Sequence, residues 1–147
     1  MKIIPKIDDR RLRRKLDQQI REQPRQVRIA LGRTAEFLMG VIKTRTQRGK
    51  DADGRSFKPY TLEYKAFRRE KGKQVRYPDL NFAGNMLSNI AQKSNPKQAI
   101  LFFASTAQNL KAVGNQKKRT FFAVGDREGK TLINLFAKEF KKVSKLI

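Results

Sequence analysis

The sequence predicts an α+β fold in which long N-terminal helices and a C-terminal helix pack around a small antiparallel sheet, with long polar loops. Three observations carry that expectation. Apolar residues recur at intervals of three and four from Val27 to Ile42 and again from Leu132 to Val143, the spacing of amphipathic helices. Two short runs rich in β-forming residues, QAILFFA at 98–104 and TFFAV at 120–124, have strand length and are bounded by turn residues. The stretches 47–60 and 68–79 are polar, contain Gly or Pro, and read as exposed loops.

Taken in order, residues 1–7 set Ile3, Ile4 and Ile7 around Pro5 and read as an extended arm. Asp8 or Asp9 then caps a first helix whose inner face is Leu12, Leu16 and Ile20. Pro24 stops or kinks that helix, or sits in the first turn of the next one. Residues 25–46 form the strongest helix, with Val27, Ala30, Leu31, Thr34, Phe37, Leu38, Val41 and Ile42 on one broad stripe. That stripe reads as core; extended back through Ile20 and Leu16 it is also a surface for a second copy. Asp53-Gly54 marks a turn, and Phe57, Pro59 and Tyr60 follow it as a stiff apolar clamp. Thr61 caps a helix carrying Leu62, Tyr64, Ala66 and Phe67. Pro78-Asp79 opens another, over 79–90, with Leu80, Ala83, Leu87 and Ile90 on one stripe and Met86 beside it. Asn95-Pro96 turns into the first strand, and Ser105 or Thr106 caps a short helix closed by Gly114. The second run then pairs antiparallel with the first. Asp126 caps the terminal helix, whose late lysines Lys138, Lys141, Lys142 and Lys145 suit the negative end of the helix dipole.

Composition narrows the function. At 147 residues the chain is expected to form one domain, 1–147. The opening residues carry charge but no long apolar stretch, so a secretory signal is not expected. No apolar run approaches the length of a membrane span, and no membrane partner is expected. There is no cysteine and no histidine, which removes thiolate chemistry and the commonest general base and metal ligand. Asp51 and Asp53 suggest a calcium loop, but with Gly54 at its turn position the first ligand would fall on Gly49 and the last acid on Tyr60. A nuclease would have to gather Asp51, Asp53, Glu63 and Glu70 on a metal, next to Arg55 and Lys58. No catalytic residue, metal or cofactor is therefore expected.

The formal charge is +22, and basic residues exceed acidic ones in every part of the chain, so the whole surface should be positive. Such a field attracts polyanions, nucleic acid first, or else is neutralised by acidic protein partners. Arg68, Arg69, Lys71, Lys73 and Arg76, with Lys117 and Lys118, are the expected polyanion-facing residues. Leu16, Ile20, Asp53, Gly54, Phe57 and Tyr60 are the expected contacts between subunits or with partners.

Three blocks, in order, carry a family resemblance: G-x-D-x-D-G-R-S-F-K-P-Y-T at 49–61, L-N-F-A-G-N-M-L-S-N-I at 80–90, and K-R-T-F-F-A-V-G-D at 118–126, before a terminal helix. Together they resemble the virion morphogenesis or tail-completion proteins of tailed bacteriophages, small neck and head–tail joining proteins. G-N-Q-K-K-R at 114–119 is similar to some members as well. The resemblance spans about residues 45–140. Where that family usually has Trp or Tyr after D-G-R, this chain has Phe57. The resemblance implies a structural, non-catalytic protein of the virion, assembled in the host cytoplasm. It implies a homo-oligomeric ring, hexamer or dodecamer, at the head–tail junction. Connector or adaptor and tail-tube or terminator proteins would be its partners, and genome DNA would pass through the lumen without sequence-specific contacts. The alternative reading is a basic nucleic-acid-binding module that contacts phosphates regardless of sequence.

Overall fold

A computed structural model describes residues 10–145. Among them are six helices and one two-stranded antiparallel sheet, an α+β fold. The extended arm expected at 1–7, and the side chains of Leu16 and Ile20, lie outside the described residues.

α1 (Arg10–Glu22) runs to the break at Gln23, and Pro24 opens α2 (Pro24–Gln47) rather than kinking one continuous helix. The fixed φ of proline suits a first helical turn, where its missing N–H has no intrahelical partner to lose. α2 is the axis of the molecule. It lies antiparallel to α6 (Asp126–Lys145): Ser144 Oγ donates to Gln23 Oε1, Arg33 pairs with Glu139 at 3.1 Å, and Arg45 pairs with Glu128 at 2.6 Å. The hydrogen bond from Arg33, aided by Lys142, holds the Glu139 carboxyl below its ordinary range.

The stripe on α2 is buried as its spacing requires. Val27 and Ala30 meet Phe136 and Phe140 of α6 at one end. Ala35, Leu38 and Ile42 enter the main core with Leu132, Phe121 and Phe122. Each large apolar side chain taken fully out of water here contributes about 1.5–3 kcal/mol. Phe37 and Val41 fall off the buried side, and Phe37 remains 44% exposed.

β1 (Ile90–Ser94) and β2 (Ala99–Phe103) form a hairpin in the register Ile90 to Phe103 and Ser94 to Ala99. Its turn is held by Asn95, whose Oδ1 accepts from the N–H groups of Lys97 and Gln98. Ile90, Leu101 and Phe103 face the core. Ser105 caps α5 (Thr106–Lys118) by accepting from Gln108 N–H. Gly114 lies inside that helix instead of closing it.

Two expected elements differ. The helix expected over 79–90 is reduced to α4 (Asn85–Ser88), because the backbone takes left-handed conformations at Leu80 (φ 51°) and Gly84 (φ 78°). Ile90 is the first residue of β1 instead. The TFFAV run is not a strand. Its polar groups are claimed by side chains: Arg45 Nη1 donates to Phe121 O at 2.7 Å and Nη2 to Ala123 O at 2.6 Å. Gln116 exchanges two hydrogen bonds with the backbone of Phe122. The segment is therefore pinned as an irregular plug, with Phe121 and Phe122 buried against Phe103.

Arg45 joins α2, the 121–123 segment and the start of α6, and it is largely buried. Arg45→Ala is expected to lower the unfolding free energy by about 3 kcal/mol, the scale of breaking a buried pair. Arg45→Lys should recover only part of that, since one ammonium cannot span three acceptors. Urea denaturation followed by circular dichroism measures both; a loss below about 1 kcal/mol for Arg45→Ala would refute this role.

Candidate functional site

The stretch after the turn at 51–54 builds a small module on the side of the molecule. Asp51 makes the turn: its Oδ1 accepts from the N–H groups of Asp53 and Arg55, and Asp51 N–H bonds Arg55 O. An isolated bridge between Lys50 and Ser56 extends it, so residues 49–57 are an ordered hairpin and not an open loop. Asp53 and Gly54 are exposed at its tip. Phe57, expected at a partner interface, is instead 5% exposed and belongs to the main core. The apolar clamp closes inward because Phe57 N–H bonds Gly49 O and turns the side chain under the hairpin.

Thr61 caps α3 (Leu62–Glu70) by accepting from Tyr64 N–H. The spacing of four between Tyr60, Tyr64 and Arg68 brings them to one side of the chain. Arg68, expected to face phosphates, is 1% exposed. Its Nη2 pairs with Asp79 at 3.1 Å and its Nε donates to Gln74 O at 3.0 Å. Its guanidinium lies 4.9 Å from the centre of the Tyr60 ring. The basic run thus splits: Arg68 folds the loop, while Arg69, Lys71, Lys73 and Arg76 remain exposed. Residues 68–70 are the end of α3, so the loop begins at Lys71 rather than at 68.

Around buried Arg68 stand four aromatic side chains. Tyr60 meets Tyr64 edge-on at 4.9 Å; Tyr64 and Phe67 stack at 6.0 Å; Phe67 and Phe82 stack at 5.6 Å within 11° of parallel. Lys71 Nζ lies 5.9 Å from the Phe67 ring and Lys73 Nζ 5.4 Å from the Phe82 ring. Phe67 is 43% and Phe82 37% exposed, and Leu62 in the first turn of α3 stands almost free. Tyr64, Phe67 and Phe82 form a surface absent from the expected site residues. The signal lay in the chain: Leu62, Tyr64 and Phe67 alternate with Lys65, Arg68 and Arg69, and a nine-residue helix so built buries only its arginine.

Arg119, just past α5, anchors this platform to the body. It donates to Lys58 O at 3.0 Å, and its guanidinium lies 5.1 Å from the centre of the Tyr60 ring. Lys117 and Lys118, both exposed, precede it in the last turn of α5. Tyr60, expected as a partner contact, is half-buried between two guanidinium groups. Burial raises its phenol above the ordinary 10.0, against the pull of Arg68.

A second feature is an open groove of about 1070 Å³ between α2, the 50–54 turn and the start of α6. Phe37, Gly40 and Val41 supply its apolar part, and Glu36, Asp53 and Asp126 stand among arginines and lysines on its walls. Asp53 and Gly54 line it, so two of the expected contact residues share this groove. Among the described residues no group of three or more acidic side chains is placed to hold a metal ion, and no helix is long and apolar enough to cross a membrane. Set beside protein-family models, curated proteins and solved structures, the chain matches none of them.

Two outcomes test this construction. Arg68→Ala should speed amide exchange through residues 74–81 while the β1–β2 hairpin stays protected; equal protection in both regions would show that Arg68 does not hold the loop. Because the folded state raises the Tyr60 pKa, the neutral phenol's contribution is complete below pH 10.0 and is lost as pH rises through the folded-state value. The melting temperature should thus fall more steeply from about pH 9 to 11 in the wild type than in Tyr60→Phe, and parallel slopes would contradict the assignment.

Proposed function

We propose that this protein is a structural virion component of the phage neck or tail-completion type, whose copies interlock into a ring at the head–tail junction and let genome DNA pass. The observation that carries the proposal is the groove beside α2. An ordered aromatic side chain, Phe37, is left exposed on the longest helix of the chain, next to a rigid hairpin tip that touches the same space. Apolar surface held in place but uncovered is the usual mark of a protein–protein contact. The joining of α2 with the 50–54 turn agrees with assembly through the N-terminal helices and the 47–60 segment. The +22 charge supports a lumen or rim that attracts DNA through its phosphates without reading bases. The three sequence blocks that resemble tail-completion proteins point the same way. Connector or adaptor and tail-tube or terminator proteins are the partners this reading assigns.

A basic nucleic-acid-binding module is the second reading, and the exposed cations of the α3 platform favour it. The two separate on whether copies associate. Mass photometry of the purified protein, alone and with connector or tail-tube protein, should detect a closed oligomer. Phe37→Glu should weaken that assembly by roughly 10-fold or more, as for a central aromatic contact, and leave the melting temperature unchanged. A protein that stays monomeric with every partner, or a Phe37→Glu variant that assembles normally, would remove the groove from this role.

A further inference from the structure

We infer that the α3 platform is a binding site for unpaired nucleic acid, with bases stacking on Tyr64, Phe67 and Phe82 and phosphates held by Arg69, Lys71 and Lys73. This goes beyond assembly around a duplex, which needs only a diffuse positive field.

Tyr64, Phe67 and Phe82 stack in series, and exposures of 37%, 43% and 37% leave part of that aromatic tread open to solvent. In a duplex the base faces are already stacked on each other and have nothing to offer this surface. In a single strand they are open, and stacking on an aromatic side chain is favourable whatever the base. The tread is rigid because the guanidinium of Arg68 is fixed beneath it by Asp79, Gln74 O and Asn81 O. Little order therefore has to be imposed when a ligand arrives.

The charge around the tread selects a polyanion. Lys71 and Lys73 already hover over the two phenylalanine rings. A base landing on those faces would move each flexible ammonium sideways toward the adjoining phosphate, so stacking and charge pairing use the same two residues. Arg69 and Arg76 extend the positive border, against Glu63 and Glu70 as the exposed carboxylates of α3. An acidic, apolar peptide offers carboxylates but not a succession of flat faces, and that difference can be measured.

The test uses the full chain, a fluorescein-labelled oligothymidine and a duplex of equal length, with anisotropy read over a range of salt. The wild type should favour the single strand. Phe67→Ala with Phe82→Ala should weaken oligothymidine binding roughly 10-fold or more and leave both the salt slope and the duplex affinity unchanged. Phe67→Leu with Phe82→Leu keeps the apolar volume and removes the flat faces, so it should give the same loss without a folding defect. Lys71→Gln with Lys73→Gln should instead flatten the logarithmic salt slope by about 1.4. The chain has three tyrosines and no tryptophan, so tyrosine emission should be quenched by oligothymidine, and Tyr64→Phe should remove most of that quenching. Unchanged oligothymidine binding by the leucine pair would overturn the inference. So would displacement by polyglutamate at matched charge, which would mark the platform as a site for acidic protein. Either result leaves the assembly measurement on Phe37 standing by itself.

Discussion

The rest of the architecture depends on Arg45. Its planar guanidinium serves three acceptors that no lysine could reach together: the Glu128 carboxylate, Phe121 O and Ala123 O. Through them the last turns of α2, the irregular 120–124 plug and the first turn of α6 become one unit. The plug seats Phe121 and Phe122 in the main core, and its position fixes where α6 begins its antiparallel return along α2. Hydrogen bonds that carry a charge are about twice as strong as neutral ones, and four from one largely buried side chain outweigh the ladder bonds that TFFAV would have made as a strand.

Arg68 repeats the device on a smaller scale. Among the described residues most lysines and arginines are exposed, whereas these two guanidinium groups turn inward and do the organising. Each sits among backbone carbonyls that would otherwise need a sheet or water. Each also leaves a functional candidate on its outer side: the groove beside Arg45, and the aromatic tread above Arg68. Aromatic faces and guanidinium groups are mutually attractive, which lets Tyr60 serve as the hinge pin between Arg68 and Arg119.

What could be read from the sequence was whatever depends on neighbours along the chain. The stripe from Val27 to Ile42, the apolar face of α6, the β2 run and the caps at Thr61 and Ser105 are all local patterns, and all are present. The readings that failed depend on distant partners. Leu80, Ala83, Leu87 and Ile90 keep helical spacing, yet Tyr60, twenty positions before Leu80, accepts its N–H and stabilises a left-handed backbone there. TFFAV has strand composition, yet its carbonyls belong to Arg45. Arg68 sits in a basic run, and nothing in that run distinguishes the one arginine that has Asp79 to meet. For the candidate site, the exposed cations and the turn at Asp53-Gly54 were legible. The α3 aromatics could be placed on a helix, but their exposure could not be read, because spacing marks a helical face without saying whether anything covers it.

The approach of the hairpin to Gly125 has a further consequence. Ala52 N–H bonds Thr120 O, and a side-chain carbon added at Gly125 would overlap the Ala52 carbonyl oxygen. Gly40 and Gly114, by contrast, have open space around the same point. Mutational drift is therefore channelled: descendants of this chain have latitude at Gly40 and Gly114, whereas position 125 admits replacement only together with a rebuilt hairpin. A lineage that altered its groove wall would have to change both segments at once, so the two should be inherited as a block.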